Sequence, residues 1–169
     1  MQSVKLKDRI FKDFSRSRVF SFLILIIVFA LILFLTNFTR GLYLAPPFAV
    51  SSYLAVYERN TKFSSSISII SSYLFVLFVT LILRVFISDI EVALIVSTLL
   101  AMAFISFTRF EHPPMLALTI FSFLVPNFQA FAESTFIALA LIISGRLLAL
   151  KLLGPAIKNP NLDKDGLIT

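Results

Sequence analysis

The chain has 169 residues, 59% of them hydrophobic and 14% charged, a formal net charge of +6 and a mean hydropathy of +0.97. That composition excludes a soluble domain of this size. No cysteine and a single histidine exclude disulfides, thiolate sites and a histidine metal cluster, and the basic excess, held at membrane flanks, suits lipid headgroups rather than nucleic acid.

Residues 1–18 carry Lys5, Lys7, Arg9, Lys12, Arg16 and Arg18 against Asp8 and Asp13, with Leu6, Ile10 and Phe14 at helical spacing. They read as a basic amphipathic cytoplasmic arm on an anionic membrane surface. Val19 to Thr36 is an apolar run of transmembrane length with no small-residue cleavage site after it, and so a retained span. Leu42 to Tyr57 is apolar but short, and Pro46-Pro47 interrupts it. Beyond the polar loop Glu58 to Lys62, a long span runs from Ser64 to Ile87, opening with Ser64, Ser68 and Ser72 on one helical face. Small residues there let another helix approach closely. Ser88-Asp89-Ile90-Glu91 is an acidic turn in which Ser88 or Asp89 caps the next span, Val92 to Phe107. The polar stretch Arg109 to His112 follows, then a short segment from Pro113 to Val125, a Pro126-Asn127 turn, and a last span from Phe131 to Leu150. Residues 19–150 form the transmembrane domain, and residues 151–169 read as a polar, disordered cytoplasmic tail.

The expected fold is an all-α integral membrane protein with four long transmembrane helices and two short segments, each started by a proline pair. If both short segments cross, Arg59, Lys62, Arg109 and both termini share the cytoplasm of a cell (inner) membrane, and Asp89, Glu91 and Glu133 lie outside. If both re-enter, Arg59, Lys62 and Arg109 move outside and Asp89 and Glu91 move inside. The six segments also divide into two sets of three, and the middle one in each begins with Pro-Pro: Ala45-Pro46-Pro47-Phe48 and His112-Pro113-Pro114-Met115. Three crossings per half make a 3+3 inverted repeat, in which paired Pro-interrupted segments mark a binding site. Coincidence among seven prolines is the alternative.

Proline suits the first helical turn, so Pro47 and Pro114 are expected to start helices at about Phe48 and Met115, preceded by extended residues. Each start presents free N–H groups and a positive dipole end, and two of them suit a small anion. The substrate-binding candidates are Pro46, Pro47, Phe48, Ser51 and Ser52 in one half, with Arg109, His112, Pro113, Pro114, Met115 and Thr119 in the other. His112 either carries a proton, partnered by Glu111 or Glu133, or caps backbone groups at the helix start. Arg109 either points inward or pairs with Glu111 at the headgroups, while Arg146, Lys151 and, on the opposite side, Arg84 snorkel. The expected function is a transporter or channel for a small anion in the lipid bilayer, without metal or cofactor. The competing reading is a non-transporting subunit or scaffold of a larger complex. An enzyme is not expected, because His112 with Glu111 is the one acid–base set on offer. Six short segments enclose little volume, which suits a homo-oligomer.

The two breaks resemble those of the HPP family of integral membrane proteins over roughly residues 40–150. The family's His-Pro-Pro stands here as His112-Pro113-Pro114, and its earlier Pro-Phe-Gly-Ala-Ser element as Pro47-Phe48-Ala49-Val50-Ser51. The chain departs from the family at Ala49-Val50, at Phe63-Ser64-Ser65-Ser66, at Met115-Leu116-Ala117, and at Ser71-Ser72-Tyr73, where the family has Gly-Gly-His. It also has none of the CBS domains that members often carry. The resemblance implies four main spans and, by analogy with plant plastid members, nitrite-like transport.

Overall fold

A computed structural model describes residues 16–38 and 46–154, which form six helices and one 3₁₀ turn, with no strand among them. The helices are α1 (Arg16–Phe38), α2 (Pro46–Val56), α3 (Ser66–Phe86), α4 (Ile90–Phe107), α5 (Pro114–Leu124) and α6 (Phe128–Leu153), with the 3₁₀ turn at Lys62–Ser64. The amino-terminal arm and the tail from residue 155 lie outside the described residues. Four helices are long and apolar enough to cross a membrane. The 11 residues of α2 or of α5 reach about 16 Å, roughly half of a hydrocarbon core of about 30 Å.

The helix ends follow from local chemistry. Ser65 caps α3 by accepting from the Ser68 N–H at 3.0 Å, and Asp89 caps α4 by accepting from the N–H groups of Glu91 and Val92. Asn127 accepts from the Ala130 N–H, so α6 begins at Phe128 rather than at Phe131. The last helix ends at Gly154, whose φ of 67° is left-handed backbone that suits glycine.

Successive helices run in alternating directions. The Tyr57 hydroxyl donates to the Arg18 carbonyl and the Arg59 guanidinium to Ser21 and to the Gly154 carbonyl. The loop after α2 therefore lies beside the start of α1 and the end of α6. The loop before α5 joins this first end through His112 and Phe63, whereas Arg84 meets the end of α5 at the second end. Helix α5 therefore leads from the first end of the bundle toward the second, and α2 ends at the first.

Packing has an internal regularity. Helix α1 packs on α2 and α6, and α4 packs on α5 and α3; α2 also meets α6 and α5 meets α3, while α2–α5 and α3–α6 close the centre. Exchanging the first three helices for the last three maps this set of neighbours onto itself. The buried faces match as well. Pro47, Phe48, Ser51, Ser52, Ala55 and Val56 recur, position for position, as Pro114, Met115, Leu118, Thr119, Ser122 and Phe123. In the long helices, Ser68, Ile69, Ser72, Tyr73, Val76, Leu77 and Thr80 recur as Ala130, Phe131, Ser134, Thr135, Ala138, Leu139 and Ile142. Outward faces are apolar, with Phe22, Ile26, Phe34, Ile95, Leu99 and Phe136 exposed as lipid contact requires. Close approach of α1 to α6 depends on Gly145, where an added Cβ would stand 2.5 Å from a Val28 methyl.

Candidate functional site

The proline pairs do start helices, but not as expected. Helix α2 begins at Pro46 and α5 at Pro114, and Pro113 adopts helical dihedrals (φ −53°, ψ −34°) instead of extended ones. The turn is established early by the Met115 N–H donating to the His112 carbonyl at 3.0 Å and the Leu116 N–H to the Pro113 carbonyl at 3.1 Å. Two prolines bring no N–H of their own. The start of α5 consequently offers no free donor from Pro113 through Leu116, which corrects the expectation of exposed N–H groups there. Residues immediately before α2 lie outside the described ones.

The structure brings three of the expected side chains, Phe48, Ser51 and His112, together in the interior, with Tyr73 added. His112 is fully buried and uses both ring nitrogens. A carbonyl only accepts, so Nδ1–H donates to the Phe63 carbonyl at 2.7 Å; in the neutral ring Nε2 then accepts from the Ser51 hydroxyl at 2.8 Å. Ser51 in turn accepts from the Tyr73 hydroxyl at 2.9 Å. Tyr73, Ser51, His112 and Phe63 make a directed hydrogen-bonded chain joining α3, α2 and the two loops at the first end. The Tyr73 ring lies 6.0 Å from the imidazole and 6.2 Å from Phe48. Burial, opposed in part by the Phe63 bond, lowers the His112 pKa from 6.5 to about 4, so the ring is neutral at physiological pH. Neither Glu111 nor Glu133 partners it. Glu111 pairs instead with Lys62 at 2.6 Å, and exposed Glu133 accepts from Gln129.

The other candidates separate into two groups. Ser52 and Thr119, at equivalent positions of α2 and α5, are buried and bond back to the Phe48 and Met115 carbonyls, also equivalent positions. Pro47, Pro114 and Met115 fill the same buried faces, while Pro46 and Pro113 are exposed. Arg109 is exposed as well, neither pointing inward nor pairing with Glu111. The polar chain exists in one half only, because Leu118 and Thr135 stand where the first half has Ser51 and Tyr73.

Three arginines behave differently from the snorkelling expected of a lone cation in a span. Arg84 turns inward and donates to the carbonyls of Ser122, Val125 and Pro126, closing the end of α5. Arg146 is buried, and its Nη1 donates to the Arg59 carbonyl at 3.0 Å and to Ser64 at 3.3 Å. Arg59, also buried, donates to Val56, Ser21 and Gly154. Lys151 alone of this set is exposed. Sequence reasoning missed Arg59 and Arg146 as interior groups. Arg84 and Arg146 stand equally far from the starts of α3 and α6, a relation that the helix starts in the structure reveal.

A protein-family model described as "HPP, transmembrane region" matches residues 12–160. Searches of curated proteins and of solved structures found no match.

Proposed function

The chain belongs to the HPP transmembrane family, and from that premise we propose a transporter for a small inorganic anion, nitrite-like, built as a 3+3 inverted repeat. The observation that carries this reading is the position-for-position recurrence of the buried faces of α2 and α3 in α5 and α6. Three alternating helices per half make the halves opposite in orientation, the architecture that secondary transporters use to open one site to either side in turn. The substrate lies between the halves, against the surface formed by Phe48, Ser51, Tyr73 and His112. Support for an anion comes from charge: Arg59 and Arg146 are buried and bond to neutral carbonyls and hydroxyls, with no carboxylate partner among the described residues. Such cations raise the local positive potential.

The first end is cytoplasmic in this reading. It carries exposed Lys62, Arg109 and Lys151, whereas Asp89 and Glu91 stand at the second end. The test is nitrite uptake by the purified protein in phosphatidylcholine liposomes. Saturable uptake above that of empty liposomes supports transport; none, together with co-purification in a larger complex, supports the subunit reading instead.

A further inference from the structure

Buried cations in a membrane protein are normally paired with acids or face water. Arg59 and Arg146 do neither. They are 4% and 9% exposed and adjacent, since Arg146 Nη1 bonds the Arg59 carbonyl, and neither makes an ion pair among the described residues. Their bonds go to neutral carbonyls and to the hydroxyls of Ser21 and Ser64.

The pattern on Arg146 is specific. Only Nη1 is engaged, and Nε is fully buried without a partner. The edge formed by Nε and Nη2 is the one through which a guanidinium grips two oxygens of an oxyanion side by side. On Arg84, its counterpart in α3, Nε is likewise unpartnered, but Nη2 is already taken by two carbonyls. Two buried like charges with one bidentate edge free make a positive site with no acid beside it among the described residues.

We propose that Arg59 and Arg146 form an oxyanion-binding site at the first end of the bundle, with the Nε–Nη2 edge of Arg146 as the bidentate contact and Ser64 beside it. The inference rests on the anion-transport reading for the origin of its ligand. A small free oxyanion at this place is the transported ion at its cytoplasmic port. A lipid phosphate is the other source with the same chemistry.

The full-length protein in phosphatidylcholine nanodiscs is titrated with sodium nitrite, and separately with sodium phosphate, by calorimetry. In a second arm, retention of phosphatidylglycerol is followed by native mass spectrometry. Arg146→Lys keeps the charge but loses the fork, and is expected to weaken binding about tenfold or more. Arg146→Gln abolishes it, and Lys151→Gln, an exposed charge near the same end, leaves it unchanged. Loss of nitrite or phosphate affinity in Arg146→Lys supports the site with a free anion as ligand; loss of phosphatidylglycerol retention supports it with a headgroup. Should the variants fail to fold, phenylglyoxal labelling of Arg146 in the wild type takes their place: slowing by nitrite or by phosphatidylglycerol supports the site. Binding that neither substitution alters, or labelling that neither ligand slows, overturns it. Binding without nitrite flux overturns the transport reading and leaves the site; flux without binding at Arg146 does the reverse.

Discussion

Arg84 and Arg146 occupy the same position in α3 and α6, and each reaches across to the segment that ends the other half's short helix. Arg84 satisfies three carbonyls at the end of α5, groups that a helix terminus otherwise leaves open. Arg146 holds the turn after α2 through Arg59 and Ser64. The exchange ties the halves together at opposite ends of the bundle.

Arg84→Ala is therefore expected to cost about 1.5–3 kcal/mol, since the part-buried Ser122 and Val125 carbonyls lose a charge-assisted donor. Thermal unfolding of the detergent-solubilised protein measures it. A midpoint equal to that of the wild type would contradict the capping role.

Gly145→Ala inserts a methyl group where Val28 already stands, and Val28 is a β-branched side chain with little rotamer freedom in a helix. The expected loss is about 1–3 kcal/mol. Val28→Ala in the same chain should restore most of it, so the double mutant is more stable than the sum of the single effects predicts. Strict additivity would place the strain elsewhere.

The His112 chain has a pH signature with a definite sign. Its pKa falls from 6.5 to about 4 on folding, so between these values the unfolded chain binds more protons than the folded one. The contribution of this group is complete above pH 6.5, declines as pH drops below it, and levels off near pH 4. Stability of the wild type and of His112→Gln is to be compared across this window. The wild type should lose stability relative to the variant as the solution is acidified; parallel curves would show that the ring is not buried in its neutral form.

Lys62–Glu111 is a different kind of contact despite its short distance. Lys62 is 64% and Glu111 30% exposed at the side chain, and exposed pairs contribute about 0–1 kcal/mol. Glu111→Gln should shift the unfolding midpoint little, because His112–Phe63 still joins the two loops and Ser72–Phe110 ties the loop before α5 to α3. A large loss would mean that the pair is shielded from water in the membrane.

The spans, the two short segments and the Asp89 cap were legible in the sequence because apolar length, proline pairs and an acidic N-cap are local signals. The start of α6 was not, since Asn127 caps it ahead of the densest apolar run. Glu111 and Arg109 are close in the chain, which suggested a pair; the fold places Lys62 nearer to Glu111. The partners of His112 come from other elements, the Phe63 carbonyl and Ser51, and no spacing rule gives them. Arg146 was misread because a basic residue near a span end is ordinarily drawn to headgroups. The equivalence of Arg146 with Arg84 becomes visible only once the helix starts are known.

Sidedness can be tested without disturbing native cysteines, of which there are none. Asn60→Cys and Arg109→Cys should react with a membrane-impermeant maleimide only from the cytoplasmic face, and Asp89→Cys only from the opposite face. Labelling of Asn60→Cys and Asp89→Cys from one face would contradict the alternating path of the helices.

Nitrite flux into phosphatidylcholine liposomes, compared between the wild type, Ser51→Ala and Glu133→Gln, bears most directly on the proposed transport. Ser51 links His112 to Tyr73, whereas Glu133 lies on the exposed face of α6. Uptake by the wild type should be saturable, with a loss of about tenfold in Ser51→Ala, equivalent to roughly one hydrogen bond at about 1.4 kcal/mol, and no change in Glu133→Gln. Wild-type uptake no greater than that of protein-free liposomes would contradict it.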